Sequence, residues 1–353
     1  MHSLGQQSAP DPRRRPWAKR LLTPSLALLA LTLAAGCAHG ALGGGSTPPD
    51  HTVALGAPLL PAVKPVGQAV QGSLEVGGVR RSYRVYLPSR LTPYHAVPLL
   101  LALHGGGGSG AQFERDSGFD GLAEADHFIV VYPDGTPTRS GAGGRVWNAG
   151  GCCGVADQAH EDVDDVAFVR ALIGKLRASY PIDRRKVFAT GHSNGAMLSL
   201  RLACELSDEL AAVAVQSGVL FVDGCRPSQP VSVLEIHGTA DENVPIDGGR
   251  GSRDISGSDY PPPLQGLKTL AARNGCPSAA KTSTDPHNHA VHYRFWSPCR
   301  AGTAVEWVTI TGANHAWMGH PASLLSRLLV GKPYLGYDSS AAAWSFLSAH
   351  PKQ

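Results

Sequence analysis

A serine between two glycines is the first residue of this sequence with the setting of a nucleophile. Residues 191–195 read GHSNG, which fits the pattern G-x-S-x-G around Ser193. The preceding residues 186–190 predict a strand, and 194–206 predict a helix. A tight turn from strand to helix exposes a serine Oγ, and flanking glycines relieve crowding at the bend. The context therefore predicts Ser193 as a nucleophile.

Two residues that could activate this serine follow later strands. A serine hydroxyl is a weak nucleophile unless a base accepts its proton. The predicted strand 231–236 is followed by Asp241, and the predicted strand 305–310 is followed by His315. The order serine, acid, histidine, each after a strand, is typical of an acyl-transfer triad. We expect His315 to accept the proton of Ser193 and Asp241 to fix the imidazole tautomer.

A glycine run supplies candidate donors for a developing negative charge. Residues 104–108 read HGGGG and follow a predicted strand that ends at Leu103. Glycines allow backbone N–H groups to approach a substrate closely. We expect the oxyanion donors to be the N–H groups of Asn194 and Gly106, with Gly105 as the alternative to Gly106.

Other acids and histidines compete for these roles. Asp223, after the preceding strand, is the rival acid, and His320 is the rival base. The strand-end positions of His104 and His237 favour structural hydrogen bonding over catalysis. No metal site is predicted, because no cysteine or carboxylate set completes the three histidines of one polar loop. These are His287, His289 and His292.

The elements that must position these residues alternate between strand and helix. A hairpin is predicted to begin near Ser73, and residues 275–300 predict a small cap or hairpin at the edge of the sheet. Continuous apolar runs predict strands buried on both faces of a parallel sheet. The predicted strands are 98–103, 128–132, 186–190, 211–215, 231–236 and 305–310, and the predicted helices are 164–180, 194–206 and 341–350. The fold class is therefore α/β, with a mainly parallel central sheet.

The amino-terminal end carries the charge asymmetry of the chain. The formal net charge is +3, and residues 1–36 hold five basic residues against one acidic residue, so the remainder carries −1. A nearly neutral body gives no support for a nucleic-acid partner. A basic segment followed by a short apolar run predicts an export signal over 1–36, and Cys37 fits the lipidated cysteine of a lipobox. We expect a flexible linker over 37–72 and a catalytic domain over 73–353.

The chain contains seven cysteines, and export would favour disulfide bonds among them, because disulfides persist in oxidising compartments. Setting Cys37 aside, Cys276 with Cys299 is the preferred pair, since the two cysteines flank the predicted cap or hairpin of residues 275–300. Cys204 with Cys225 is the second. Adjacent cysteines at 152–153 leave a vicinal bond and separate partners both open.

Several motifs together resemble a known family. They are RVWNAGGCCG at 145–154, VDDV at 163–166, GHSNGAM at 191–197, HGTAD at 237–241 and NGC at 274–276. They resemble bacterial polyhydroxybutyrate depolymerases, which group with the feruloyl and acetylxylan esterases of carbohydrate esterase family one. The resemblance covers about residues 73–350. The family usually has His-x-Trp-Pro-Gly after the catalytic histidine, whereas residues 315–319 here read HAWMG.

The resemblance implies an α/β-hydrolase fold with helices on both faces of the sheet, carboxylic-ester hydrolysis and no cofactor. It also implies a triad of Ser193, Asp241 and His315. Trp147 and Trp317 are candidates for the substrate pocket, with core packing as the other interpretation. The expected substrates are hydroxyalkanoate esters or feruloylated or acetylated saccharides. We expect a monomer that is exported, either extracellular or lipid-anchored at the bacterial cell envelope.

Two other functions remain open at this point. The same triad could transfer an acyl group to a sugar if its acceptor site excludes water. The scaffold could also be a non-catalytic surface binding protein, although the complete set of triad residues argues against this hypothesis.

Overall fold

A single large sheet organises the part of the chain that the structure describes. The structure is a computed structural model, and it describes residues 64–141, 143–153, 158–159 and 163–353. The export segment 1–36, Cys37 and linker residues 37–63 lie outside the described residues. The strands in chain order are β1 (Gln68–Val76), β2 (Val79–Leu87), β3 (Val97–Leu103), β4 (Ile129–Pro133), β5 (Thr136–Pro137), β6 (Arg145–Val146), β7 (Ile182–His192), β8 (Ala212–Gln216), β9 (Ser232–Gly238), β10 (Lys281–Thr284), β11 (Val291–Trp296) and β12 (Val305–Ile310).

Ten of these strands form the sheet in the order β1-β2-β4-β3-β7-β8-β9-β12-β11-β10, and β5 pairs with β6 separately. The six central strands run parallel to one another, and they are β4, β3, β7, β8, β9 and β12. Antiparallel pairs close both ends of the sheet. Because parallel strands end at one edge, the loops after β3, β7, β9 and β12 meet there.

Helices cover both faces of the sheet, as the sequence predicts. They are α1 (Gly110–Ser117), α2 (Phe119–Asp126), α3 (Asp165–Ser179), α4 (Asn194–Glu205), α5 (Pro263–Arg273), α6 (Leu324–Val330) and α7 (Ser339–Ala349). Apolar side chains of α3, α4 and α5 share one core cluster with Leu99 and Leu101 of β3. Those of α1, α2 and α7 share the other with Leu100 and Ala102. The alternation along β3 explains its continuous apolar run, since both faces are buried.

The observed fold confirms the predicted α/β class with a mainly parallel sheet. The first strand begins earlier in the chain than the sequence predicts. Strand β1 begins at Gln68, five residues before the predicted start at Ser73. Gln68 pairs with Leu87 across the hairpin, so the last residues assigned to the linker belong to the sheet. Their polar and glycine-containing sequence suits an exposed edge strand and lacks an apolar alternation. The segment 275–300 forms the hairpin β10–β11 at the opposite edge.

Three disulfides lie within the described residues. Cys204 is bonded to Cys225. Cys276 is bonded to Cys299. Cys152 is bonded to its neighbour Cys153, which is the vicinal arrangement that the sequence left open. The first two pairs join cysteines that are 21 and 23 positions apart, and each bond restricts the unfolded chain.

None of the helices in the described ranges combines the length and the apolar character that a membrane crossing requires.

Candidate active site

Ser193 occupies the sharp turn between β7 and α4. Its backbone dihedrals are φ 55° and ψ −121°, a conformation that a non-glycine residue adopts only when the surroundings hold it. A Cβ on Gly195 would lie 2.3 Å from the carbonyl oxygen of Leu103, and a Cβ on Gly191 would lie 2.5 Å from the carbonyl carbon of Gly195. Both glycines are therefore required for the close approach of α4 to β7 and β3.

His315 and Asp241 lie in contact beyond the ends of β12 and β9. The Nδ1 atom of His315 is 2.7 Å from Oδ2 of Asp241. The other carboxylate oxygen, Oδ1, accepts the backbone N–H groups of Asn243 and Val244, each at 2.9 Å. Burial would raise the pKa of Asp241, but the charge and hydrogen bond of His315 outweigh it and hold that pKa well below its usual range. An ionised carboxylate accepts a hydrogen bond from Nδ1–H, which leaves Nε2 of His315 without a proton and able to act as a base.

The histidine loop is fastened to the residue that precedes the nucleophile. The ring of His192 donates from Nε2 to the carbonyl oxygen of His315 at 2.6 Å, and the two imidazole rings lie 4.8 Å apart. Burial and the neighbouring His315 lower the pKa of His192 to about 3, so His192 stays neutral. Among the described residues, Ser193 Oγ makes no hydrogen bond to His315. Hydrogen bonds between nucleophile and base often tighten only when substrate is bound.

Gln216, at the end of β8, joins three parts of the site, and no sequence pattern pointed to it. Its carbonyl oxygen accepts the Ser193 N–H at 3.0 Å. Its side chain donates to the carbonyl oxygen of Ala316 at 2.9 Å and accepts from the N–H of Met318 at 3.1 Å. The hydroxyl of Ser339, the first residue of α7, donates to the same amide oxygen at 2.7 Å. Gln216 therefore sets the position of the histidine loop relative to the serine.

The predicted oxyanion donors lie next to each other beside the serine. A Cβ on Gly106 would lie 3.6 Å from Cβ of Asn194, and one on Gly105 would lie 3.5 Å from Cβ of Ser193. Within the described part of the chain, the N–H groups of these three oxyanion candidates donate to no protein acceptor. Gly107 donates to the carbonyl oxygen of Arg145 at 2.8 Å, which fixes the glycine loop. The arrangement leaves free N–H groups where a carbonyl oxygen could be stabilised.

Trp147 and Trp317, the candidates for the substrate pocket, are both almost completely buried, which favours the core-packing role that the sequence left open. Trp147 is fully buried, and its backbone N–H and carbonyl bind the side-chain amide of Asn194 at 2.7 and 3.0 Å. Its indole N–H donates to the carbonyl oxygen of His104 at 2.9 Å. Trp317 is 6% exposed and donates to Ser340 Oγ at 3.0 Å. Buried indoles satisfy their N–H inside the protein, and Trp147 thereby holds Asn194 in place.

Among the described residues, neither rival is hydrogen-bonded to a triad candidate, and His104 bonds to the backbone. Asp223 is exposed, and His320 is bonded to Asp338 at 3.1 Å. His104 is buried and accepts the Gly135 N–H at 3.0 Å, and burial lowers its pKa to about 4. The described residues contain no group of three or more histidine, cysteine, aspartate or glutamate side chains arranged to hold a metal ion.

A buried ion pair that no sequence pattern predicts binds the backbone of Asn148, the residue after Trp147. Arg81 on β2 pairs with Asp165, the first residue of α3, and both side chains are within 1% of complete burial. Asp165 Oδ2 also accepts the N–H of Asn148 at 2.6 Å and the side-chain amide of Gln158 at 3.2 Å. Burial raises the pKa of Asp165 and lowers that of Arg81. Nothing local in the sequence distinguishes Asp165 from its neighbouring helix cap, Asp164.

Removing one partner of this pair is expected to destabilise the protein strongly. The substitution Asp165→Ala leaves the Arg81 guanidinium buried without a counter-charge, which typically costs about 3–5 kcal/mol. We expect the free energy of unfolding in urea to fall by that amount. Asp208→Ala, which breaks the exposed pair of Asp208 with Arg170, serves as the control and is expected to cost less than about 1 kcal/mol. Equal losses in the two variants would show that Asp165 is not a buried anchor.

Comparisons with known proteins identify a family and relatives to which this chain is similar. Residues 81–258 match the family described as Esterase PHB depolymerase. Feruloyl esterase B of Piromyces equi is 33% identical over 243 residues, which are 67% of this chain and 42% of that protein. A protein of Nocardia uniformis subsp. tsuyamanensis that is named as an esterase, NocK, is 30% identical over 318 residues, which are 83% of this chain and 89% of that protein.

A solved structure shows the same fold. The acetyl xylan esterase from Aspergillus awamori superposes with a TM-score of 0.54 at 21% identity, over 70% of this chain and 94% of that one. This likeness concerns the fold alone. The chain spans less than half of the length of Feruloyl esterase B, so the fungal protein contains sequence that has no counterpart in this match.

Proposed function

The chain belongs to the Esterase PHB depolymerase family, and from this premise we propose that it hydrolyses carboxylic esters through an acyl-enzyme on Ser193. The observation that carries the proposal is the 2.7 Å contact between His315 Nδ1 and Asp241 Oδ2 on the loops beside the strained turn at Ser193. A buried imidazole with one nitrogen held by a carboxylate has its other nitrogen available as a base.

The proposed reaction begins with attack of Ser193 Oγ on the ester carbonyl carbon. His315 Nε2 accepts the hydroxyl proton, and the carbonyl oxygen becomes negatively charged. The N–H groups of Gly106 and Asn194 stabilise that charge, with Gly105 as the alternative donor. Collapse of the tetrahedral intermediate expels the alcohol, which takes the proton from His315. Water, deprotonated by the same nitrogen, then releases the acid and restores the serine.

A fluorophosphonate probe tests the nucleophile directly. Such a probe phosphonylates an activated serine, so intact protein is expected to gain one covalent adduct at Ser193, located by peptide mass spectrometry. Heat-denatured protein is the control, because unfolding separates the three residues of the triad. If the native protein gains no adduct, or gains it at another serine, the proposed mechanism fails.

The substrate class follows from the family and from the names of its relatives. We propose esters of 3-hydroxyalkanoates or of feruloylated or acetylated saccharides as the substrates. Turnover of 3-hydroxybutyrate oligomers against methyl ferulate and acetylated xylo-oligosaccharides decides between these acyl groups. Failure to hydrolyse any of the three would contradict this assignment and leave the ester-hydrolase proposal to the probe experiment.

We further propose that the protein is exported and carries a lipid on Cys37. The basic and apolar pattern of residues 1–36 supports export. Three disulfides within the described residues are consistent with an oxidising compartment. Radiolabelled palmitate is expected to enter the wild-type protein in its host and not the Cys37→Ser variant. An unlabelled wild-type protein would contradict the lipid anchor.

A further inference from the structure

A second histidine lies behind the carboxylate of the proposed triad. His237, on β9, is completely buried, and its two ring nitrogens each contact an acceptor. Nδ1 is 2.9 Å from Oε1 of Glu235, and Nε2 is 2.9 Å from the carbonyl oxygen of Val244. Nε2 is also 3.6 Å from Oδ2 of Asp241, the oxygen that contacts His315. The ring therefore lies between a buried acid and the loop that bears the catalytic carboxylate.

The contacts determine how the protons are placed. The carbonyl oxygen of Val244 can only accept a hydrogen bond, so Nε2 of His237 must carry a proton. The contact between Nδ1 and Glu235 then requires one more proton, either on the ring or on the carboxyl group. In both cases the pair of Glu235 and His237 carries no net charge. A neutral pair is much cheaper to bury than either ion alone.

We infer that Glu235 and His237 are positioning residues for the proposed reaction: their shared proton keeps Nε2–H of His237 directed at Val244, which holds the acid loop in the shape that presents Asp241 to His315. This inference rests on the proposed function. The backbone of Val244 connects His237 to the carboxylate, because its N–H donates to Asp241 Oδ1 while its carbonyl oxygen accepts from His237. A shift of Val244 therefore moves the carboxylate.

The surroundings of the pair contain few other charges. Glu235 lies on the same strand as His237, and Asp241 lies on the loop after it. His315 reaches the ring only through Asp241. The register neighbour of His237 on β12 is the uncharged Thr309. Burial would lower the pKa of His237, but the hydrogen bond and charge of Glu235 outweigh it, so that pKa is raised. Burial raises the pKa of Glu235 to about 7.

The substitution Glu235→Gln separates this role from simple packing. The glutamine oxygen keeps the contact with Gly218 N–H, which Glu235 Oε1 accepts at 3.0 Å. This oxygen carries no proton, so it can bind Nδ1 of His237 only if Nδ1 is protonated. A neutral ring has a single N–H proton, and the glutamine oxygen therefore competes with the carbonyl oxygen of Val244 for it. We expect kcat on a soluble p-nitrophenyl ester to fall about 10- to 100-fold, the range seen when partners behind metal-bound histidines are removed, with KM changed much less.

The pH dependence of the loss in kcat distinguishes a missing proton from a packing defect. As pH falls, the ring of His237 in the variant gains its second proton and can again donate to Val244. The ratio of variant to wild-type kcat/KM is therefore expected to rise as pH falls, since the protonation of His315 affects both proteins and cancels in the ratio. A packing defect would give a ratio independent of pH. Glu306→Gln, which alters another buried glutamate on β12, is the control and should leave kcat unchanged.

Two further variants identify the hydrogen bond that matters. In His237→Gln the amide N–H reaches the position of Nε2 and can bind Val244, whereas in His237→Asn it reaches only the position of Nδ1. We expect the glutamine variant to retain at least tenfold more kcat than the asparagine variant, at equal melting temperatures. A constant pH ratio for Glu235→Gln, or an asparagine variant as active as the glutamine variant, overturns the inference. A wild-type protein that the fluorophosphonate probe does not label would instead refute the proposed function.

Discussion

Ser193→Ala is expected to lower kcat on p-nitrophenyl butyrate by about a millionfold while KM stays within a few-fold of the wild-type value. The estimate follows the loss measured when the serine of another triad hydrolase is removed. Without Oγ no acyl-enzyme can form, although the oxyanion donors and the binding surface persist. Steady-state kinetics at enzyme concentrations high enough to detect residual turnover provide the measurement.

A matched serine on the same helix controls for structural damage. Ser199 is buried in α4, and its hydroxyl donates to the carbonyl oxygen of Gly195 at 2.9 Å. We expect Ser199→Ala to lower kcat by less than tenfold, because this hydrogen bond is local to the helix. If Ser193→Ala retains turnover comparable to that of Ser199→Ala, another group is the nucleophile.

Asp241→Asn is expected to lower kcat by about ten-thousandfold at neutral pH, as the corresponding change does in other serine hydrolases. The asparagine oxygen at the Oδ1 position still accepts the N–H groups of Asn243 and Val244. Its amide nitrogen then faces His315 and donates where the carboxylate accepted. The imidazole is forced into the tautomer with its proton on Nε2, and that nitrogen can no longer accept the proton of Ser193.

The rival acid provides the comparison for this variant. Asp223→Asn changes an exposed carboxylate outside the triad and should leave kcat within twofold of wild type. Melting temperatures of the two variants must be measured together, since a collapsed acid loop would also abolish turnover. A large loss in Asp223→Asn with little loss in Asp241→Asn would transfer the role of the acid to Asp223.

The triad candidates could be named from the sequence because each follows a strand directly. In a parallel sheet the order of strands and the edge at which they end bring such residues together, so local patterns suffice. The same reasoning could not decide between pocket and core for Trp147 and Trp317. Whether an indole lines a pocket or packs inside depends on residues distant in sequence, such as Asn194 and Ser340. No local pattern carries that information.

The supporting residues were invisible for a related reason. Gln216 and Asp165 each bind at least one residue that is 84 or more positions away in sequence. Neither has a neighbour in sequence that marks it as different from an ordinary strand end or helix start. The sequence predicts a structural role for His237, and its hydrogen bond to Val244 agrees with that role. Its contact with Asp241 depends on the path of the loop that joins the two residues, which the sequence pattern does not predict.

The hydrogen bond between Ser339 and Gln216 links the carboxyl-terminal helix to the loop that bears His315, because Gln216 also binds Ala316 and Met318. Residues 81–258 carry the family match, yet they contain neither His315 nor α7. An expression fragment trimmed to the matched segment would lack His315, the proposed base, and the Ser339 hydroxyl that helps to orient the loop of that histidine. Boundaries for recombinant production or for grafting this domain onto another protein should therefore extend past Ala349.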